Sequence, residues 1–276
     1  MAAEQARGRS RPPPRLGEGG VGGRWIREYL PAVLVFALAM AAWEALVWAL
    51  HIQFYLLPAP HVIVEALYEH YPLIVEAALF TFQEALGGFA VGCGLGVVAA
   101  AMASRWPAAS EIVLPYAIAT SAVPVIALAP LAIVWFGVDQ GSKIAIVALM
   151  TFFPTFISTL RGLLSPSPSS LELMRSYAAT NTQIFLKLRL PATLPYMFTA
   201  FKVCTTLSMI GAIVSEYFGG RAASLGVYIK SQASLFHTRE AWAAIVVACS
   251  LGIAFYLAMA LLERLVVPWH VSFRRS

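Results

Sequence analysis

Charge is what this sequence has least of. Asp, Glu, Lys and Arg together make up 12% of its 276 residues against 59% hydrophobic, and the mean hydropathy is +0.74. No soluble domain of this length presents so little charged surface to water, so the solvent for most of the chain is a bilayer. Cysteine is scarce as well. The three, Cys93, Cys204 and Cys249, fall inside apolar runs with no spacing to one another or to histidine. That excludes a disulfide framework and a thiolate metal site. The five histidines (His51, His61, His70, His237 and His270) sit in loops or at the edges of apolar runs and read as solvated residues. No Walker A motif is present: GVDQGSK at 137–143 comes nearest, and its glycine spacing fails. GCGLG at 92–96 lacks the third spacing and the preceding strand of a dinucleotide fingerprint. No Ser/His/Asp set and no HExxH appears, so the chain is not expected to be an enzyme or to hold a cofactor.

What is present is six apolar runs, at about 30–50, 75–102, 112–136, 143–163, 194–217 and 242–266. The first is long enough at 1.5 Å per residue to cross about 30 Å of hydrocarbon. An all-α polytopic membrane protein with six transmembrane helices follows. Residues 1–28 read as a disordered basic tail, 29–267 as the membrane domain and 268–276 as a second tail. A short amphipathic helix is expected at 60–71, and the loop at 218–240 has room for another.

The net charge of +5 is a topology signal and not a nucleic-acid footprint, because the basic residues flank the runs. With the N-terminus inside, all 19 Lys and Arg except Lys143, Arg221, Lys230 and Arg239 fall on the inner side. By the positive-inside rule both termini are cytoplasmic.

Pro115, Pro124 and Pro130 crowd one run, each freeing a backbone carbonyl that lipid cannot satisfy, so this helix is expected to line a path. Glu84 and Glu216 are carboxylates at membrane depth, where acids face a cavity or a partner. Glu84 reads as nearer mid-membrane and Glu216 as near the outer end. Glu44 reaches an interface, and Lys202 is expected to snorkel to headgroups. Gly88 and Gly92 form a GxxxG pair suited to close helix packing.

Residues 165–193 are the longest polar interval between runs. Pro166 and Pro168 break what precedes, and Ser169 stands three residues before Glu172, the spacing of a capping box. Apolar residues then recur at helical spacing on both sides of a break near Asn181, and Pro191 opens the next run. Two short amphipathic helices at the mouth of the bundle are expected.

This interval resembles the cytoplasmic EAA loop of binding-protein-dependent ABC importer permeases. Glu172 stands for the motif's Glu, and Leu190-Pro191 for its Leu-Pro. Leu173, Met174 and Ala178 replace the two alanines and the glycine, and Ala178 in place of glycine predicts a shallower break. Leu57-Pro58-Ala59-Pro60 and Trp135-Phe136-Gly137 extend the likeness from Leu57 to the C-terminus, most closely to the nitrate, sulfonate, taurine and vitamin-precursor group. The resemblance implies a type I permease fold in the bacterial inner membrane, surrounded by lipid. It also implies a second permease copy, a separate ATPase subunit and an extracytoplasmic substrate-binding protein as partners. Coupling to the ATPase, through the loop 164–193, would involve Glu172, Arg175, Ala178, Ala179, Leu190 and Pro191. A path would involve Glu84, Pro124, Pro130 and Glu216.

The rivals are a secondary transporter, which needs repeats or paired broken helices that are not found here, and a membrane enzyme. Within the runs, Glu44, Glu84 and Glu216 are set against Lys202. That balance favours a neutral or cationic nitrogen heterocycle, such as a vitamin precursor, over nitrate, sulfonate or taurine. Glu216-Tyr217-Phe218-Gly219-Gly220 and Pro268-Trp269-His270 also resemble that branch.

Overall fold

The computed structural model describes residues 21–53 and 55–268, with side chains throughout except at 21–29 and 107–111. Residues 1–20 of the expected tail and 269–276 lie outside the described residues. Every element described is helical. The first is α1 (Val21–Ala49), which begins inside the stretch expected as tail. The chain divides into two compact units after Ile52, within the stretch expected as one membrane domain. In α1 the stretch Leu30–Ala49 is long and apolar enough to cross a membrane.

The second unit runs α2 (Pro60–Glu69), α3 (Tyr71–Ala103), α4 (Pro107–Ser121), a 3-10 turn (Val125–Leu128), α5 (Ala129–Phe136), α6 (Gln140–Leu164), α7 (Pro168–Ser176), α8 (Asn181–Ile184), a π turn (Phe185–Arg189), α9 (Leu190–Glu216), α10 (Leu225–Ser234) and α11 (Thr238–Val266). Among the described residues five helices are long and apolar enough to cross a membrane, or six if a bent pair counts as one span. That pair joins 112–121 to 125–136 at 72°. The long helices outrun the apolar windows because backbone near lipid must hydrogen-bond to itself until a proline or cap stops it; α3, for example, covers 71–103 where 75–102 is the apolar run.

The bundle is built on α3, α6 and α9. Apolar burial drives little association between helices already in lipid, so close van der Waals approach does the work. Gly88, Gly92 and Gly96 give α3 a face of three glycines at four-residue spacing, and α6 lies directly on it. A Cβ at Gly92 would stand 2.1 Å from Thr151 Oγ1 and 2.3 Å from the Ala148 carbonyl oxygen. Thr155 donates to Cys93 Sγ at 3.3 Å across this seam, and across the α6–α9 contact Cys204 Sγ donates to the Thr151 carbonyl at 3.5 Å. All three cysteines are free thiols. α11 closes the far side through aromatic edges, with Phe255 ring centroids 5.1 Å from Phe89 and 5.4 Å from Phe82. The two ends of the bundle differ. One carries α7 and α8, the other α10.

Candidate functional site

The loop at the first end is two short helices around a sharp break. Ser167, not Ser169, caps α7: its Oγ accepts the Ser170 N–H at 3.3 Å. Pro168 decides this, because proline suits the first helical position and pushes Ser169 inside the helix. The capping box expected at Ser169 and Glu172 is therefore absent. One does form at α8, where Thr180 Oγ1 accepts the Gln183 N–H at 3.3 Å and Gln183 Oε1 accepts the Thr180 N–H at 2.9 Å. Its Thr-x-x-Gln spacing is legible in the sequence. Glu172, Arg175 and Ala178 are exposed, and Ala179, Leu190 and Pro191 are half-buried.

Between the helices the break is complete and not shallow. Ala178 takes a left-handed φ of +52°. Its N–H bonds to the Arg175 carbonyl at 2.9 Å and the Ala179 N–H to the Met174 carbonyl at 3.1 Å. These are the two bonds of a Schellman ending, with alanine at the position glycine usually fills. Left-handed strain in an L-residue costs about 1–2 kcal/mol, more than the roughly 0.4–1 kcal/mol of chain entropy a glycine adds. Ala178→Gly is therefore expected to stabilise the protein by about 0.5–1 kcal/mol. Thermal melting of the purified chain checks this, and a lower midpoint contradicts the left-handed geometry.

At the other end the structure brings Glu84 and Glu216 together. Both are 1% exposed, as is Lys143. Glu216 Oε1 accepts the Thr81 hydroxyl at 2.7 Å and its Oε2 accepts the Gly226 N–H at 2.6 Å. Thr81 Oγ1 in turn accepts the Leu225 N–H at 2.9 Å. Two side chains from α3 and α9 thus satisfy the first amides of α10, and α10 is pinned to the bundle. Gly226 has to be glycine there, since a Cβ would lie 2.4 Å from the Ile213 carbonyl oxygen. Glu84 reaches the Glu216 carboxyl, with Lys143 the cation whose charge bears on both. Glu84 Oε2 is buried and receives no hydrogen bond. Lys143 Nζ donates to the Val138 carbonyl.

Glu84 stands level with two helix ends. Its neighbours are the last residue of α9 and the fourth of α6, so it sits level with the ends of those helices while α3 continues for about three more turns. On α10, outside the spans, the Tyr228 hydroxyl is buried without a partner. Burial first, then the Glu240 charge, pushes its phenol up.

Pro124 and Pro130 are exposed, and Pro115 stands inside α4. Pro124 begins the 3-10 turn at the bend. Pro130 lies in the first turn of α5, where no helical N–H is needed, so it frees no carbonyl. Lys202 does not snorkel to headgroups: its Nζ pairs with Glu263 Oε2 at 2.7 Å across α9 and α11. Glu263 is an acid inside the last apolar run, a signal the sequence carries. These pairings remove the charge argument for a cationic substrate. Lys202 is neutralised locally, and Lys143 lies with Glu84 and Glu216.

The profile of the binding-protein-dependent transport system inner membrane component family matches residues 92–269. The chain is 34% identical over 247 residues to the formylaminopyrimidine transport permease protein ThiX of Halalkalibacterium halodurans, covering 88% of this chain and 96% of that one. It is 29% identical to the riboflavin transport system permease protein RibX of Chloroflexus aurantiacus, over 90% of this chain and 92% of the other. Against the putative aliphatic sulfonates transport permease protein SsuC of Bacillus subtilis the identity is 28%, over 91% of each. The fold is shared with the inward-facing MetNI methionine ABC transporter, at a TM-score of 0.50 and 19% identity, over 76% of this chain and 98% of that one. With its apolar helices, this makes the chain a multi-pass inner-membrane protein and a transport subunit, not an enzyme. The chain belongs to the binding-protein-dependent transport system inner membrane component family, and within it to the sulfonate, taurine and vitamin-precursor group of ABC importer permeases.

Proposed function

We propose that this permease couples to a separate ATPase through α7, the Ala178 break and α8, and that two copies of it form the path. The observation that carries the reading is the loop itself. Two capped helices project from an apolar bundle and leave Glu172 and Arg175 exposed, while Leu190 and Pro191 lead directly into α9. Force applied to the loop passes into α9 through the π turn at Phe185–Arg189. The loop and both termini lie on the cytoplasmic side, as the distribution of Lys and Arg supports. A binding protein delivers solute to the opposite, α10 end. There Glu216, with Glu84 against its carboxyl, holds the wall of the path by pinning α10 together with Thr81, and the bent segment with Pro124 and Pro130 lines it. The substrate class is a nitrogen heterocycle such as a vitamin precursor. Its support is the likeness to the formylaminopyrimidine and riboflavin permeases, since the charge balance of the spans no longer bears on it.

The test is Glu172→Arg, which reverses an exposed charge and leaves the caps of both helices intact. Membrane insertion and melting should match the wild type. Co-purification with the ATPase and ATP-driven uptake should fall by about tenfold or more, the loss that about 1.4 kcal/mol of interface energy carries. Uptake and ATPase retention equal to wild type would remove the loop from coupling.

A further inference from the structure

Beneath the α7–α8 loop, where α3 ends, lies an open cavity of about 880 Å3. Arg105, Arg175 and Arg189 line it, and no Asp or Glu is in its wall. The three come from different places: just past the end of α3, the last turn of α7 and the π turn, so the fold itself gathers them. None makes an ion pair among the described residues. Arg189 gives one long hydrogen bond, 3.4 Å, to the Ser104 carbonyl. Three converging guanidinium groups without a counter-charge repel one another unless an anion sits between them.

Apart from Ser104, Asn181 and Thr182, the rest of the wall is apolar. Val98 and Met102, on the spanning helix α3, are 56% and 58% exposed and carry the apolar wall from the cavity onto the open surface of that span. The site is therefore amphiphilic, basic at the level where the span ends and greasy below it. We propose that this cavity binds the phosphate of an anionic membrane phospholipid, whose acyl chain lies along Val98 and Met102. Guanidinium groups match phosphate oxygens in a bidentate fork, and basic pockets between spanning helices hold anionic headgroups. An acidic protein surface would satisfy the arginines and leave the exposed apolar wall uncovered. Because Arg175 belongs to α7, a bound lipid braces the loop against the bundle and makes the loop's position sensitive to the anionic lipid content of the membrane. The site stands whether or not the loop couples to an ATPase.

The experiment measures binding of a fluorescent short-chain phosphatidylglycerol to the full-length chain in neutral detergent. Affinity should exceed that for phosphatidylcholine of the same chain length by about tenfold. Arg105→Gln, at an exposed position, should weaken it about fivefold, one near-surface charge. Arg189→Lys keeps charge without the fork and should weaken binding less than Arg189→Gln. Lys187→Gln, a basic residue outside the cavity, should bind as wild type. Equal loss in Lys187→Gln means diffuse surface charge and overturns the site. Full displacement by millimolar inorganic phosphate assigns the cavity to a free anion and overturns the lipid. Unchanged lipid affinity in Arg105→Gln, with loss of a co-purifying ATPase, gives the cavity to an acidic partner surface and overturns it too.

Discussion

Gly92→Ala is expected to destabilise the bundle by about 3 kcal/mol, the upper part of the range for overpacking a tight interior, while Gly94→Ala, two residues away, should be neutral or slightly stabilising. The difference lies in what each new methyl would meet. At Gly92 the nearest atoms are Thr151 Oγ1 at 2.1 Å, the Ala148 carbonyl oxygen at 2.3 Å and Ala148 Cα at 2.8 Å. The hydroxyl can rotate, but the backbone of α6 can yield only by moving the whole helix. That opens the α3–α6 seam and strips contacts from Gly88 and Gly96 above and below. At Gly94 nothing lies within 4 Å, so alanine adds only its better helix propensity, worth about 1 kcal/mol. Thermal melting in one detergent compares the two directly. If both variants melt like the wild type, α3 and α6 are not in backbone contact.

The glycine face is legible in the sequence because helical spacing alone puts Gly88, Gly92 and Gly96 on one side, and only close packing gives three glycines a use there. The bend after Ser121 is legible for a similar reason, since prolines leave few other conformations. Depth is harder to read. A hydropathy window treats a run as centred on the membrane, and α3 overshoots the ends of α6 and α9, so Glu84 is inside its own run and yet level with the ends of its neighbours. The loop contained two S/T-x-x-E/Q patterns, Ser169 to Glu172 and Thr180 to Gln183, and the choice between them turned on Pro168, which fixes the helix start one residue after Ser167. Lys143, Thr81 and Gly226 were out of reach because their roles arise from helices that meet only in the folded bundle. The Schellman ending at Ala178 was hidden by its residue type, since alanine argues for continuing a helix and tertiary context overrules it.

The pairing of Lys202 with Glu263 yields the second large effect. Glu263→Gln keeps the shape of the side chain and leaves the Lys202 ammonium, whose side chain is 23% exposed, without its partner among apolar spans. Breaking one half of such a pair costs about 3–5 kcal/mol when fully buried, and partial exposure brings this to about 2–4 kcal/mol. Lys202→Met is the other single change and leaves the Glu263 carboxylate without its partner in the same way. The double variant, Lys202→Met with Glu263→Gln, removes both charges and should recover much of the loss, since neither charge is then left without its partner. The cycle therefore shows strong non-additivity. A snorkelling lysine gives a different pattern. Its charge would rest in the headgroups, Glu263→Gln would melt within about 0.5 kcal/mol of wild type, and the two single changes would simply add. Additive melting shifts across the four proteins would break the α9–α11 pair, and with it the reason the apolar span from Thr238 to Val266 keeps an acid one turn from its end.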